Sequence, residues 1–375
     1  MKRQATHLKL VAAALLGLAG TAAPASAQTQ EAVKIGYPAS SKILLGSQMV
    51  RGANIAAAMI NEKGGILGGR KVELIHYDTA VNPSEGVAAI QRLLNQDRVN
   101  VLAGEVTSTV ALAQVPVIKS AGALFLIGLP KHPDLTKAEN KNVLRVNSTV
   151  TMDMAAFKPI FQERFGDKKV ALITENNEAW QEGAKIMRSE YFKPGQLVFD
   201  EAYEIQQNDF TSLVTNARRS RAEVLCILGT TPEHYANIIR MAGEIGYRPQ
   251  ICLTPGILYP GAVEIAGEAA EGAVSADIYV PNIQNDLNKA FVAAFQKAHG
   301  DKPDKAAMIG FETVWVLAKA MDQAKSTDDP TKIAETIRSN TWATPRGDIR
   351  FEQNGQASGK YYVITVKDGK IEQWN

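Results

Sequence analysis

Residues 33–78 read VKIGYPASSKILLGSQMVRGANIAAAMINEKGGILGGRKVELIHYD. The apolar run VKIGYP is followed by a segment, 47–61, in which Val50, Ala53, Ala57 and Ile60 recur at helical spacing. Gly64 and Gly65 end that helix, and KVELIHYD (71–78) is a second strand. Strand, helix and strand in this order form the unit of a parallel sheet covered by helices. The same rhythm continues outward: Asn82-Pro83 opens a helix to about residue 96, VNVLAG (99–104) is a third strand, 107–120 a helix, and ALFLIG (123–128) a fourth strand. Together they make one doubly wound domain. GGILGG (64–69) lacks the G-x-G-x-x-G spacing and precedes a strand instead of following one, so it is a turn and not a dinucleotide loop.

A second series begins after VLRVN (143–147). It contains a helix at 151–164, KVALIT (169–174), a helix at 177–190, LVFDEAYEI (197–205), a helix at 209–219, AEVLCIL (222–228), a helix at 232–245, QICLT (250–254) and GAVSAD (272–277). Past Pro281 come helices at 285–299, 304–325 and 330–339, then a β-rich tail of GDIRF (347–351), KYYVITV (360–366) and KIEQW (370–374). Two α/β lobes with elements left over predict a chain that crosses between lobes more than once. Ligands of such sheets bind beyond the carboxyl ends of the strands, which puts the expected site in the cleft between lobes.

The 375 residues carry 41 Lys+Arg against 39 Asp+Glu, interspersed along the chain. No clustered basic excess is present, which argues against nucleic acid as a partner. Lys2, Arg3 and Lys9 precede or flank the apolar run 10–20, and Ala25-Ser26-Ala27 supplies small residues for cleavage, so residues 1–27 read as a secretory signal cut after Ala27. Removing it leaves 38 basic against 39 acidic residues. No Cys follows the small residues, and no later segment approaches the roughly 18 apolar residues of a membrane helix. The expectation is an exported, periplasmic protein. Cys226 and Cys252 lie in short β-like runs; the reading is two buried thiols facing different layers, with a disulfide, which export permits, as the alternative. No His stands near either Cys at ligand spacing, so no metal is expected.

Enzyme signatures are scarce: the sequence has no G-x-S-x-G elbow, phosphate loop or H-E-x-x-H. His76 reads as structural, and His234 and His299 as solvated. Neither catalysis nor a cofactor is expected. Binding features are better placed. In AGEVTSTVA (103–111) a strand ends at Gly104 and a helix starts at Thr107 or Ser108, where hydroxyls, free N–H groups and the helix dipole make a seat for a carboxylate; Thr107 as a plain N-cap is the simpler reading. Lys131 follows the fourth strand in GLPKHPDLT (128–136). PASSKILLG (38–46) offers Ser40, Ser41 and an apolar patch from Ile43 to Leu45. In the second series Trp180, Thr230 and Thr231, and LTPGILY (253–259) each follow a strand end. A Trp in a polar strand-to-helix loop suits stacking.

At these positions the sequence resembles the periplasmic solute-binding proteins of ABC importers, specifically the branched-chain amino-acid-binding type. The likeness is carried by the 33–83 block, by GEVTSTVALAQVPVIKSAGALFLI (104–127), by YVPNIQN with FVAAFQKAHGDKPDKAAMIGFETVWVLAKAM (279–321), and by GDIRFEQNGQASGKYYVITVKDGKIEQW (347–374). It implies the type I periplasmic binding protein fold: two doubly wound α/β lobes joined by three crossovers, near Asn147, Ile278–Pro281 and Phe351. Lobe 1 would then be 28–147 plus 281–350, and lobe 2 148–280 plus 351–375. The resemblance also implies a monomer that closes on a small ligand and docks on a membrane permease. By the resemblance, Ser108 holds the ligand carboxylate with neighbouring N–H groups, Pro130 and Lys131 belong to the contacting loop of lobe 1, Trp180 closes over the ligand, and Thr231 lies at or next to another contact.

Two departures stand out. Gly256 occupies the place of the acid that pairs with an amino acid's ammonium, and Lys131 that of a small hydroxyl residue. An enclosed ammonium without a counter-charge costs roughly 3–5 kcal/mol, a hundredfold or more in affinity. The expected ligand is therefore a carboxylate lacking an α-amine, such as an aromatic or oxo acid, with Trp180, Leu44, Leu45 and Phe311 holding its apolar part. Glu105, beside the site, is the residue that could replace the missing acid. The alternatives are an amino-acid-binding protein of the same importer type and, from other classes, a ligand sensor or an exported hydrolase.

Overall fold

The computed structural model describes residues 31–137 and 139–374; the predicted signal lies outside them. Lobe 1 is built on a parallel sheet of β1 (Val33–Pro38), β2 (Val72–Tyr77), β3 (Val101–Gly104), β4 (Leu124–Ile127) and β5 (Val143–Arg145), in the order β2-β1-β3-β4-β5. Alternation sorts each strand onto two faces. Val101, Ala103, Leu124 and Leu126 point into one core, while Leu102, Phe125 and Ile127 point into another. The second core lies under α2 (Pro83–Asn95) and α3 (Ser108–Ser120). Asn82 caps α2 through Ser84 and Glu85 N–H at 2.8 and 3.2 Å, with Pro83 at the first helical position.

The first core lies under α1 (Leu44–Glu62) and three helices that come from far along the chain. They follow the elements of lobe 2 along the chain. Lobe 2 runs α4 (Val150–Phe165), β6 (Val170–Glu175), α5 (Glu178–Glu190), β7 (Leu197–Tyr203), α6 (Thr211–Arg219), β8 (Val224–Leu228), α7 (Pro232–Glu244), β9 (Gln250–Leu253), α8 (Pro260–Ala266) and β10 (Val274–Asp277). The chain then returns to lobe 1 as α9 (Asp286–His299), α10 (Lys305–Ala324) and α11 (Pro330–Ser339), followed by a small antiparallel sheet of β11 (Thr341–Thr344), β12 (Gly347–Phe351) and β13 (Ala357–Ser358). Finally β14 (Tyr362–Lys367) and β15 (Lys370–Gln373) add an antiparallel edge to the lobe 2 sheet, whose order is β15-β14-β10-β9-β8-β6-β7.

Helices α1 and α10 cross with backbones in contact: a Cβ on Gly52 would run into the Ala307 carbonyl, and one on Gly310 into that of Met49. No other residue type allows that approach.

Two expectations need correction. The third crossover falls after Ser358 and not at Phe351, because Phe351 pairs with Ala357, both lie in the lobe 1 core, and Gln356 bridges to Arg145. Cys226 and Cys252 do not face different layers. They stand opposite one another on β8 and β9 as free, fully buried thiols, and directly paired residues share a sheet face. Among the described residues no helix is long and apolar enough to cross a membrane, and no group of three or more His, Cys, Asp or Glu could hold a metal.

Candidate functional site

The parallel strands of both lobes feed the seam between them at their carboxyl ends. On lobe 1, Glu105, at φ 68°, turns the chain after β3 so that α3 starts at Ser108. Its carboxylate folds back and accepts Val106 N–H at 2.8 Å and Gln114 Nε2–H at 2.9 Å, with longer contacts from Thr107 N–H and the Thr79 hydroxyl at 3.4 Å. Burial pushes this carboxyl up to about 7, against those hydrogen bonds. It is thus engaged by donors just before and within α3. Thr107 is at the N-cap position of α3, but its hydroxyl makes no cap bond and is buried without a hydrogen-bond partner.

Ser108 Oγ accepts the N–H groups of both Lys131 and His132 at 3.2 Å. That pins the loop after β4 onto α3. Behind the loop, the fully buried Arg145 donates to the carbonyls of His132 (2.6 Å) and Pro130 (3.4 Å), to Thr136 Oγ1 (3.2 Å) and to Gln356 Oε1 (2.8 Å). Gln356 Nε2 in turn donates to Asn147 O at 2.7 Å, and Asn147 Nδ2 to Leu129 O at 2.7 Å. Two crossovers are thereby tied to the loop that carries Lys131. Burial lowers the Arg145 guanidinium to about 9, while Asp153 opposes the shift.

Lys131 itself reaches across the seam. Its ammonium pairs with Asp153 on α4, donates to Pro255 O at 3.2 Å, and lies 5.8 Å from the Trp180 ring centroid. Asp153 is 1% exposed at its side chain, and its other oxygen accepts from Tyr361 OH at 2.7 Å. Trp180 is not in a loop, as the sequence suggested: it stands in the first turn of α5, its side chain buried in the lobe 2 core, and donates from Nε1 to Thr230 Oγ1 at 2.8 Å. Thr231 is at the N-cap position of α7, its N–H held by the buried Glu175 at 3.2 Å. Gly256 follows β9 at φ 78°, a conformation suited to Gly.

A second lysine makes the same crossing. Lys305, the first residue of α10, donates to Gly256 O, lies 3.6 Å from Asp277 at the end of β10, and stands over the Tyr259 ring at 5.4 Å. Burial lowers its ammonium to about 8 although Asp277 holds it up, and burial raises the Asp277 carboxyl although Lys305 and Lys131 hold it down. Sequence reasoning missed Lys305, Asp277, Asp153 and Arg145. One signal was present: a Lys at the first position of a helix is set against the helix dipole, so it must answer to something outside the helix.

Three expectations change. Phe311 is not a cleft residue; it is fully buried in the lobe 1 core, 4.6 Å from Phe291 and stacked on Trp315 at 5.3 Å. Ser41 donates to Asp78 at 3.1 Å, whereas Ser40 is the buried hydroxyl without a hydrogen-bond partner. His234 is not solvated: it packs against Tyr203 and Phe210, with Nδ1 3.8 Å from Glu175. Leu45 joins the lobe 1 core at the start of α1, and Leu44 beside it is exposed. His76 accords with a structural role, its Nε2 lying 3.0 Å from Ala39 O.

Comparison with known proteins covers nearly the whole of the chain. The family model described as periplasmic binding protein matches residues 35–370. The leucine-, isoleucine-, valine-, threonine- and alanine-binding protein of Pseudomonas aeruginosa is 25% identical, covering 98% of this chain and 96% of that protein. A leucine-binding protein from Thermotoga maritima superposes with a TM-score of 0.82 at 25% identity, covering 92% of this chain and 98% of that one. A solute-binding protein of an ABC transporter from R. palustris, in complex with benzoate, has a TM-score of 0.82 at 20% identity, covering 91% and 95%. With its two lobes, its seam of strand ends and a family match over nearly its whole length, the chain belongs to the periplasmic binding proteins, as a substrate-binding protein of the ABC-transporter type built like the branched-chain amino-acid-binding members.

Proposed function

We propose that this protein captures a small carboxylate, an aromatic or oxo acid, between its lobes and delivers it to the membrane permease of an ABC importer. It works in the periplasm as a monomer freed of residues 1–27, and its role is binding without catalysis. The observation that carries the ligand class is Lys131, whose backbone N–H is held by Ser108 at the start of α3 and whose ammonium faces Trp180 across the seam. Of its three N–H donors, Asp153 and Pro255 engage two, which leaves one for a carboxylate. The benzoate complex of the same fold supports an aromatic acid as an occupant.

A second reading, an amino acid as ligand, is favoured by the ligands named for the relatives and by the two buried carboxylates, Asp153 and Asp277, that could face an ammonium. Calorimetry with benzoate, phenylpyruvate, 4-methyl-2-oxopentanoate, leucine and valine separates the two. Tight leucine or valine binding without carboxylate binding refutes the proposal. Thermal stabilisation by the bound acid with no turnover supports capture over catalysis. An intact mass of the periplasmic protein that begins at Gln28 supports the cleavage site.

A further inference from the structure

Lys131 and Lys305 leave lobe 1 from different elements and end on the same small piece of lobe 2. Their ammonium groups donate to consecutive carbonyls, Pro255 O and Gly256 O, and a Cβ placed on Gly256 would collide with both. Each also faces its own aspartate, Asp153 and Asp277. Both lysine side chains are buried, at 11% and 3% exposure. Donor arithmetic gives each ammonium three N–H groups, with two directed at a carbonyl and a carboxylate, so one donor on each remains. The two ammonium nitrogens themselves stand beside the bare backbone of Gly256.

We propose that Lys305 is a specificity-determining residue of this cleft, forming with Lys131 a two-ammonium seat at Gly256 that requires an acceptor group on the ligand and rejects an ammonium. The seat rests on the carboxylate reading given above and sharpens it. A 2-oxo acid offers two adjacent acceptors, the carboxylate and the carbonyl oxygen, to two adjacent donors. The matching amino acid puts three donors and a positive charge there instead. Arg145, buried behind the Lys131 loop and bonded among the described residues to carbonyls, a hydroxyl and an amide oxygen, adds positive charge to the same side. Two other nearby carboxylates are already engaged: Asp304 by Ala307 N–H on α10, and Glu105 by Val106 N–H and Gln114 Nε2–H.

The test compares 4-methyl-2-oxopentanoate with leucine, which share a carbon skeleton, by calorimetry on the full mature protein. Lys305→Met alone leaves Asp277 buried without its cation, so the double variant Lys305→Met with Asp277→Asn removes the pair together, and melting curves confirm that it folds. The wild type should favour the oxo acid by about a hundredfold, and the double variant should reduce that ratio by at least tenfold. A ratio unchanged in a folded double variant overturns the role of Lys305 and leaves the carboxylate reading standing. If the wild type instead prefers leucine, the carboxylate reading fails. The seat fails with it, because a two-ammonium seat cannot favour the ammonium ligand.

Discussion

Replacing Lys131 by Met and Asp153 by Asn should move carboxylate affinity in opposite directions. Methionine keeps an apolar stem against Trp180 but removes the ammonium. The loss of one charge-assisted hydrogen bond costs about 1.5–3 kcal/mol, which is roughly a 10- to 150-fold weaker complex with benzoate or 4-methyl-2-oxopentanoate. Asp153 is the group that an entering carboxylate must tolerate, because it is buried and sits on the same ammonium. Two carboxylates about 8 Å apart repel by about 2 kcal/mol at an effective dielectric of 20, so Asp153→Asn should strengthen binding roughly tenfold or more. Calorimetry at pH 7 on both variants, with melting curves to confirm the fold, reads both signs. Full affinity in Lys131→Met refutes the reasoning. So does an equal loss in both variants, since that would make the Lys131–Asp153 pair a closure contact between lobes with no part in carboxylate binding.

Glu105 makes stability depend on pH. Its carboxyl is raised from 4.5 to about 7 by burial, so the folded state binds the proton more tightly, and this contribution is full below about 4.5 and lost as pH rises through about 7. Relative to Glu105→Gln, the wild type should lose about 2–3 kcal/mol across that window; parallel melting temperatures for the two proteins from pH 4 to 8 would contradict it. Gly310→Ala should destabilise by about 1–3 kcal/mol, because the added methyl meets the Met49 carbonyl of a packed helix and not a movable side chain, and a denaturant midpoint equal to wild type would refute the close crossing. The thiols of Cys226 and Cys252 should resist a thiol reagent in the native protein and both react in denaturant, since both are buried and burial pushes Cys226 well up. Rapid native labelling would contradict their position between β8 and β9.

The elements of the fold were legible where one physical signal acted alone. Strand ends at Gly104 and Leu228, the cap at Asn82 and the turns at Gly64 and Gly65 follow from local patterns, because alternation, capping and positive φ act within a few residues. The third crossover was misplaced for the opposite reason. Phe351 ends a strand locally, but its pairing partner Ala357 keeps the following residues on lobe 1.

The sequence by itself determined the two α/β lobes and the family. It also supplied Ser108, Lys131, Trp180 and Gly256 as members of one seam. Only the tertiary structure decided the charges around them. Asp153, Asp277 and Lys305 reach the seam from a helix, a strand end and a helix that lie far apart in the chain, and no local pattern encodes which buried ions will meet. The absence of an acid at position 256 first read as a missing negative charge. In three dimensions two lysines fill that space and two aspartates stand behind them. A buried charge is costly unless it is paired, so its partner is chosen by packing, and packing is settled only when the lobes come together.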